Sequence, residues 1–507
     1  MKKLFCLMSV VLISVSLFAG GIVTNTNQSA SYIRMPARYA TLEVDGVYYN
    51  PAGLAFLEDG IHFSFSNQYI AQTRNIESTF AGLNIDDFEG EVLAPIFPSF
   101  YAAYKKDKLA YSLGINPIGG GGSANFEEGL PSFEKQVAIL PASLTASGIA
   151  TSEYSMNSAF DGTSLNWGIQ LNLSYALNEM VGLSLGCRFV LANNNYEGYL
   201  KDVMINPMHP LNTNGMGEMV SAPLFFGNLA TAATGAAASI QPIIDGGGGD
   251  FTLDQLVGGG MLTQEQADQL SGGLGGAYDP NMTASIIQGA YNQNAFTMDS
   301  YADATSDKEL KASQSGTGIS PIVGVNIKLN EKLNIALKYE YKAEITMEND
   351  TTIDDVGMFP DGEENPNDMP SMLAVGVGYN PIQKLYIGTG FKYYFDKAAE
   401  YSEEGNDDLI DDDSWEASIG AEYMITEKIL ASLGYTQTKI GVSDLYQSDI
   451  THSLSSNSVG IGGRYILNDK MMIDFGVINA MYDDYDKDTE TFKRKSIAIA
   501  LGFGYKL

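Results

Sequence analysis

The sequence predicts an all-β protein: a transmembrane antiparallel β-barrel of about 14 strands with an N-terminal plug, or hatch, inside its lumen. Three observations carry this prediction. Segments in which apolar residues alternate with small or polar ones recur along most of the 507 residues. Short turns and long polar loops follow one another between these segments. A stretch of about forty residues precedes the first of them, which is enough chain to fill a wide barrel.

The first residues have the pattern of a secretory signal. Lys2 and Lys3 precede an apolar run over residues 4–18, and small residues follow. This is the order of charge, apolar core and cleavage site in a signal peptide, which we place at residues 1–19. Cleavage would remove Cys6 and leave Cys187 as the only thiol, so no intrachain disulfide is expected. An exported chain without disulfides fits a bacterial envelope.

Composition narrows the class of protein. The chain has 54 Gly, 29 Tyr and 23 Phe, and after the signal it has no apolar run long enough for a membrane helix, which excludes a helical membrane protein and favours strands. A formal charge of −32 makes nucleic acid a poor partner. The acidic residues are concentrated in runs with loop composition, such as residues 403–413.

A rigid turn joins the N-terminal segment to the strands. Asn50 precedes Pro51, which fixes its own φ and keeps Asn50 out of the helical region, and Ala52 follows. We interpret residues 20–58 as a hatch that ends at this turn and residues 59–507 as the barrel. A plain connector before the first strand is the alternative interpretation of the turn.

Each strand segment has one apolar face and one face of small or polar residues. From Trp415 to Ile425 the odd positions are apolar, whereas the even positions are mostly Glu, Ser and Gly. A lipid-facing barrel with a polar lumen has this pattern. The predicted lumen face also carries charged candidates, which are Arg188, Lys338, Lys392 and Arg464. Either they form ion pairs that rigidify the barrel, or one of them meets a ligand carboxylate.

Connection lengths give the strand count. Short turns such as residues 105–108 and 467–470 alternate with long loops, as in outer-membrane barrels with short periplasmic turns. The predicted strands begin near Ile61, Ile96, Leu109, Ser164, Met180, Ile319, Lys332, Ser371, Lys384, Ser414, Lys428, Asn457, Lys470 and Phe492.

The chain resembles the FadL/TodX family of outer-membrane transporters for long-chain fatty acids and other hydrophobic compounds. The resemblance covers the signal, the hatch-length segment that begins at Thr24 and ends in Asn50-Pro51-Ala52, and the fourteen or so strands. It implies that a hydrophobic small molecule is captured at the extracellular loops, passes to a lumenal pocket and leaves through a hatch-gated lateral opening. It also implies a monomer in contact with outer-membrane lipid.

In this family the third strand bends inward to open a side gate. The third predicted strand here contains Asn116 and Pro117, followed by Gly119 and Gly120. Proline cannot donate to the ladder and glycine allows a bend, so we expect the lateral-opening kink there. The alternative is that the strand simply ends at this point.

The longest loop, predicted at about residues 198–317, is rich in Ala, Leu, Phe and Met. Thr252 and Thr263 each open a capping-box pattern that predicts a short helix. Such an apolar loop must bury its side chains, either by capping the barrel mouth around a groove for a hydrophobic ligand or by packing on itself.

Residues for catalysis are few. The three histidines, His62, His209 and His452, form no pattern with metal-ligand or triad spacing, so we predict no catalytic residue, no metal and no cofactor. Two other functions stay open: an aqueous porin or surface interaction protein that uses the acidic loops, and an outer-membrane lipase built around a Ser and His62 or His452.

Overall fold

A computed structural model of the protein describes residues 22–402 and 408–507. The predicted signal peptide and part of the acidic run at 403–413 lie outside the described residues. No helix in the described ranges is long and apolar enough to cross a membrane.

Fourteen strands of the described residues form one closed antiparallel barrel, which confirms the predicted fold class. Two strands, β7 and β8, are each interrupted, and each keeps one label for its two parts. Short strands at Val220–Ser221 and Tyr485–Lys487 extend the sheet in the loops. The barrel strands are β1 (Gly60–Ser78), β2 (Asp87–Lys106), β3 (Leu109–Phe126), β4 (Tyr154–Ala176), β5 (Val181–Ile205), β6 (Lys308–Lys328), β7 (Leu333–Glu340 and Thr346–Asp354), β8 (Glu364–Pro366 and Met372–Ile382), β9 (Leu385–Tyr394), β10 (Trp415–Met424), β11 (Ile429–Lys439), β12 (Ser456–Asn468), β13 (Met471–Tyr482) and β14 (Glu490–Lys506).

Each strand pairs with its chain neighbours, and β14 pairs with β1 to close the barrel, with Phe63 opposite Tyr505. Side chains alternate between the two faces as predicted: Ile419 is 55% exposed on the outside, whereas the neighbouring Ser418 is buried. The outward face is apolar and the inward face is small and polar, which is the pattern of a membrane-spanning barrel.

Several strands are longer than the sequence pattern predicted. β5 continues to Ile205 and β6 begins at Lys308, and Gly198 pairs with Leu310. The longest connection therefore occupies residues 206–307, a shorter range than the predicted 198–317. The outward residues of these extensions are polar because they lie beyond the apolar belt.

The connections alternate in length around the barrel. Two residues, Asp107 and Lys108, join β2 to β3, and Asp107 takes the left-handed conformation with φ of 54°. The connections at the opposite end are long and carry helices α3 (Pro131–Ala138), α4 (Leu140–Ala146), α5 (Ala222–Ile243), α6 (Leu253–Gly258), α7 (Gln264–Leu274) and α8 (Ala284–Ala304).

Helices α5 to α8 bury their apolar residues mainly against one another. Ile240, Leu256, Leu270 and Ile287 belong to one buried cluster of this loop. Both predicted capping boxes are present, at Thr252 and at the start of α7. The first turn of α5 instead packs with α3, α4 and the ends of β4 and β5. Most of the loop therefore packs on itself, which was one of the two predicted arrangements.

The N-terminal segment lies inside the barrel. It contains two short helices, α1 (Ala30–Arg34) and α2 (Gly46–Tyr49), and a 3-10 helix at Pro51–Phe56. Almost all residues from 22 to 57 are buried by the surrounding strands. We call residues 22–58 the hatch.

Candidate functional site

The turn at Asn50 fastens the hatch both to itself and to the wall. Asn50 Nδ2 donates to the carbonyl oxygen of Thr41 at 2.9 Å and to Asn326 Oδ1 of β6 at 2.7 Å. Pro51 occupies the first turn of the 3-10 helix, where its missing N–H costs nothing. The carbonyl oxygen of Pro51 accepts from Ser174 Oγ of β4 at 2.7 Å. The turn thus holds the end of the hatch against β4 and β6.

Lumen-facing glycines let the hatch backbone approach the wall. A β-carbon built on Gly476 would lie 2.7 Å from the backbone nitrogen of Arg34, and one on Gly460 would lie 2.5 Å from the carbonyl oxygen of Ile33. One on Gly390 would lie 2.1 Å from the Tyr39 ring. Glycine is required at these positions by close approach rather than by backbone conformation. The same close approach involves Gly182, Gly376, Gly388, Gly420, Gly434, Gly462 and Gly502.

An ion-pair network joins the hatch to β10, β12 and β13. Arg34 donates to Glu422 at 2.5 Å and to Asp474 at 2.9 Å. Arg464 of β12 bonds to Asp474 at 2.8 Å and also pairs with Glu43 of the hatch. Arg38 adds contacts within the hatch at Glu43 and Asp45, and a longer one to Glu422. Removal of one partner from a buried ion pair strongly destabilises a protein, because the other charge stays buried without compensation.

The other three predicted lumenal cations surround Tyr48 of the hatch. Arg188 donates to Glu340 at 2.5 Å, and Lys338 pairs with the same carboxylate. The Arg188 guanidinium and the Lys338 ammonium lie 4.8 and 4.7 Å from the centre of the Tyr48 ring. Such contacts are cation–π interactions. The predicted cations therefore bind the hatch to the wall on two sides.

Lys392 is the exception among these cations. It is 1% exposed, and its ammonium nitrogen has no hydrogen-bond partner among the described residues. Three tyrosine rings, of Tyr39, Tyr48 and Tyr394, lie 5.3 to 5.7 Å away. Attraction to the ring faces partly replaces the lost hydration of this charge.

The pairing between β2 and β3 is interrupted over part of its length. Their pairing runs from Lys106 with Leu109 to Phe100 with Ile115, and it resumes only at Val92 with Ala124. Residues 93–99 of β2 and 116–123 of β3 are thus unpaired with each other. β3 itself continues through this region to Phe126 and stays beside β4. The predicted kink residues Asn116, Pro117, Gly119 and Gly120 all lie in this gap.

The hatch closes the inner side of this gap. The Asn25 backbone N–H donates to the carbonyl oxygen of Ile118 at 2.7 Å, and Asn25 Nδ2 donates to that of Gly120 at 3.1 Å. Asn116 Nδ2 donates to Gln28 Oε1 at 2.6 Å. Gly120 has φ of 92°, a conformation that is strained for any residue with a side chain. Glycine at this position therefore allows the bend. The start of the hatch therefore lies along the kinked part of β3.

Apolar side chains line the lumen beyond the hatch, toward the long loops. Loop residues fold into the mouth, and His452 packs on the Phe492 ring at 4.9 Å. Burial, with the guanidinium groups of Arg74 and Arg494, lowers the pKa of His452 well below its usual value, so this ring stays neutral. The buried apolar residues of this region include Ile70, Ile76, Phe88, Val92, Phe126, Phe160, Tyr196, Phe359, Tyr446, Ile478 and Phe492.

No protein-family model matches the chain, and no curated protein matches it. Solved structures do match over nearly the whole length. A FadL homologue of Pseudomonas aeruginosa is similar over 96% of this chain and 99% of its own, with a TM-score of 0.59 and 11% identity. The toluene transporter TodX of P. putida is similar over 97% and 99%, with a TM-score of 0.53 and 11% identity. The fold is that of the FadL/TodX outer-membrane barrels.

A third match with the FadL/TodX fold is the toluene transporter TbuX of Ralstonia pickettii. It covers 93% of this chain and 98% of its own, with a TM-score of 0.50 and 14% identity. At these identities the agreement concerns the fold, and it confirms the resemblance inferred from the N-terminal segment and the strand count.

The glycine positions were the part of this FadL/TodX-fold site that sequence reasoning missed. Glycine is frequent on the inward face, but nothing local distinguishes Gly390 or Gly476 from other inward residues. Their recurrence at one level of successive strands is the signal that could have located the hatch, since Gly376 lies opposite Gly390, and Gly420 opposite Gly434.

Replacing Asn50 by alanine should loosen the end of the hatch without opening the wall. The change removes the bonds to Thr41 and Asn326, and each lost buried hydrogen bond costs about 1 kcal/mol. We expect faster hydrogen exchange in residues 41–57 and unchanged exchange in β4 and β6, measured by mass spectrometry. Ser184→Ala, another buried lumenal polar residue, is the control, and equal protection in the Asn50→Ala variant would contradict the expectation.

Proposed function

We propose that this protein takes up hydrophobic compounds, such as long-chain fatty acids, across the bacterial outer membrane. The gap between β2 and β3, closed on its inner side by the hatch, is the observation that carries the proposal. A barrel with a filled lumen and a side gap favours passage of a solute sideways into the membrane over passage straight through an aqueous pore.

The order of surfaces along the lumen supports this route. A solute captured at the extracellular loops first meets the apolar residues of the mouth, such as Phe126 and Phe160. Below them the charged hatch networks around Arg34 and Tyr48 block the way to the periplasm. The remaining exit is the β2–β3 gap, beside the kink at Pro117. Removal from water drives an apolar solute into the mouth, at about 25 cal/mol per Å² buried.

The ligand is a hydrophobic small molecule, and two of the similar structures are toluene transporters. Outer-membrane lipid is the second partner, because it would receive the ligand at the gap. On its outer side the gap exposes Leu93 by 56% and Ile96 by 75%, side chains suited to lipid contact. We propose that the protein acts as a monomer, since the gap, the hatch and the mouth all belong to one chain.

Uptake of a labelled long-chain fatty acid and of labelled toluene, each normalised to the amount of folded barrel, tests the proposal. We expect both to enter cells faster when the protein is present in the outer membrane, with little ionic conductance in planar bilayers. High steady conductance without hydrophobe uptake would instead identify an aqueous porin. Absence of both would contradict any channel function.

A further inference from the structure

A second interruption of the barrel wall lies between β6 and β7. Their pairing stops at Ile322 with Glu340 and resumes at Ser315 with Glu348. Even-numbered residues of β7 face the lumen up to Glu340, and odd-numbered residues do so from Ala343 onward. The chain therefore gains one residue at the break, as in a β-bulge, and turns inward.

Residues 367–371 of β8 follow β7 inward in an unbroken register, since Met369 lies opposite Ala343 and Met372 opposite Glu340, and all five are buried in the lumen. We call residues 367–371 the shelf. Pro370 cannot donate to a neighbouring strand, so one hydrogen bond of the ladder is missing between Met369 and Met372. The shelf is held by backbone bonds in both directions between Ala343 and Met369, each 3.0 Å long. Asp368 also accepts from the Ile345 N–H at 3.0 Å.

The side chain of Met369 reaches the kink of β3. A β-carbon built on Gly119 would lie 2.9 Å from Met369 Cε, 2.2 Å from the carbonyl oxygen of Val23 and 3.0 Å from Asn166 Nδ2. The shelf, the start of the hatch and β4 thus converge on one glycine. Thr24 also forms an isolated bridge with Gly119.

We infer that the shelf is a second jaw of the lateral gate and that Met369 sets the size of solute that passes. This inference rests on the proposed uptake function. A solute moving from the mouth to the β2–β3 gap passes Gly119, which Met369 covers from one side and Val23 from the other. A flexible thioether suits this position, because it fills space between apolar solutes and adapts to their shape.

The two jaws differ in the kind of contact that they make with the kink of β3. The hatch is fixed to the kink by directional hydrogen bonds at Asn25, whereas Met369 meets it only by van der Waals contact. Contact of that kind gives way without leaving a polar group unsatisfied. Movement of the Met369 side chain is therefore a less costly way to widen the passage than release of the hatch.

A Met369→Cys variant in a Cys187→Ala background tests the inference in the full-length protein. Methyl methanethiosulfonate restores a side chain close to methionine in size, and benzyl methanethiosulfonate adds an aromatic ring. We expect uptake near the unmodified level with the methyl adduct, at least a tenfold loss with the benzyl adduct, and recovery with dithiothreitol. Met372→Cys is the matched control, because Met372 is also 4% exposed but lies opposite Glu340 rather than beside Gly119. We expect its adducts to leave the ratio of bulky to small hydrophobe uptake unchanged.

The outcomes separate the inference from the proposed function. If the Cys187→Ala parent takes up no hydrophobe, the proposed function is wrong. If the parent transports but the thiol of the Met369→Cys variant is never modified during transport, as judged by intact mass, the shelf does not open. Full uptake by the benzyl-modified variant would also contradict the inference that the shelf is a second jaw of the gate. A Met369→Ala variant should raise the uptake of bulky relative to small hydrophobes, and an unchanged ratio would contradict a role in size selection.

Discussion

Replacing Gly476 by leucine should displace the hatch and turn the barrel into an ion-conducting pore. The added β-carbon would lie 2.7 Å from the Arg34 nitrogen and 3.0 Å from the Ile33 carbonyl carbon, which are backbone atoms. The wall is fixed by pairing on both sides, so the hatch must move. An emptied barrel of this size leaves an aqueous channel, and we expect single-channel conductance in planar bilayers to rise by about tenfold or more.

The control adds the same side chain to the outside. Ala421→Leu in β10 places the extra bulk against lipid, since Ala421 lies on the outward face next to the buried Glu422. Both variants should keep the heat-modifiable gel mobility of a folded barrel. A Gly476→Leu barrel that folds and stays closed would mean that the hatch does not depend on close approach at the glycines.

The barrel could be predicted from sequence because its signals are local. Alternation with a period of two and the lengths of the turns depend only on neighbouring residues, so predicted starts such as Leu109 and Lys384 fall within a residue of the observed ones. The far ends of β5 and β6 could not be predicted, because the local sequence pattern changes there. Beyond the apolar belt their outward residues, such as Asn193 and Glu197, have the composition of loops.

The partners of the buried charges could not be predicted from sequence. Arg464 was assigned to the lumen by its alternation, but its contact with Glu43 joins positions 421 residues apart. Such a contact depends on the register of every intervening strand and on the path of the hatch. Arg34 ends the short helix α1 and Arg38 follows it, in a segment that is buried on all sides, so no periodicity marks the side that meets the wall.

The shelf in β8 is a third feature that could not be predicted from the sequence. Pro321 and Pro370 flank the break, yet Pro321 sits at an outward position of an otherwise regular strand. The extra residue near Tyr341 leaves no mark in the sequence, because apolar residues stay at odd positions from Leu333 to Met347. Only the face that these residues occupy changes, from outward at Leu337 to inward at Ile345, so the bulge could not be predicted from the alternation.

Replacing Gly120 by valine should close the side gap and abolish most hydrophobe uptake. Gly120 has φ of 92°, and a β-carbon there would lie 2.4 Å from the carbonyl oxygen of Ser164. A β-branched residue in this conformation costs about 1–3 kcal/mol. Valine is favoured in a regular strand, so the variant should straighten β3 and restore its pairing with β2. We expect uptake of labelled fatty acid per folded barrel to fall to a small fraction of the original rate.

Gly82→Val is the matched control, because Gly82 also has a positive φ, of 98°, but lies in the loop between β1 and β2. This variant carries similar backbone strain outside the wall and should transport normally. Hydrogen exchange should slow in residues 93–99 and 116–123 only in the Gly120→Val barrel, as new strand pairing protects their amides. If those amides become protected while uptake is unchanged, the solute does not leave through the β2–β3 gap.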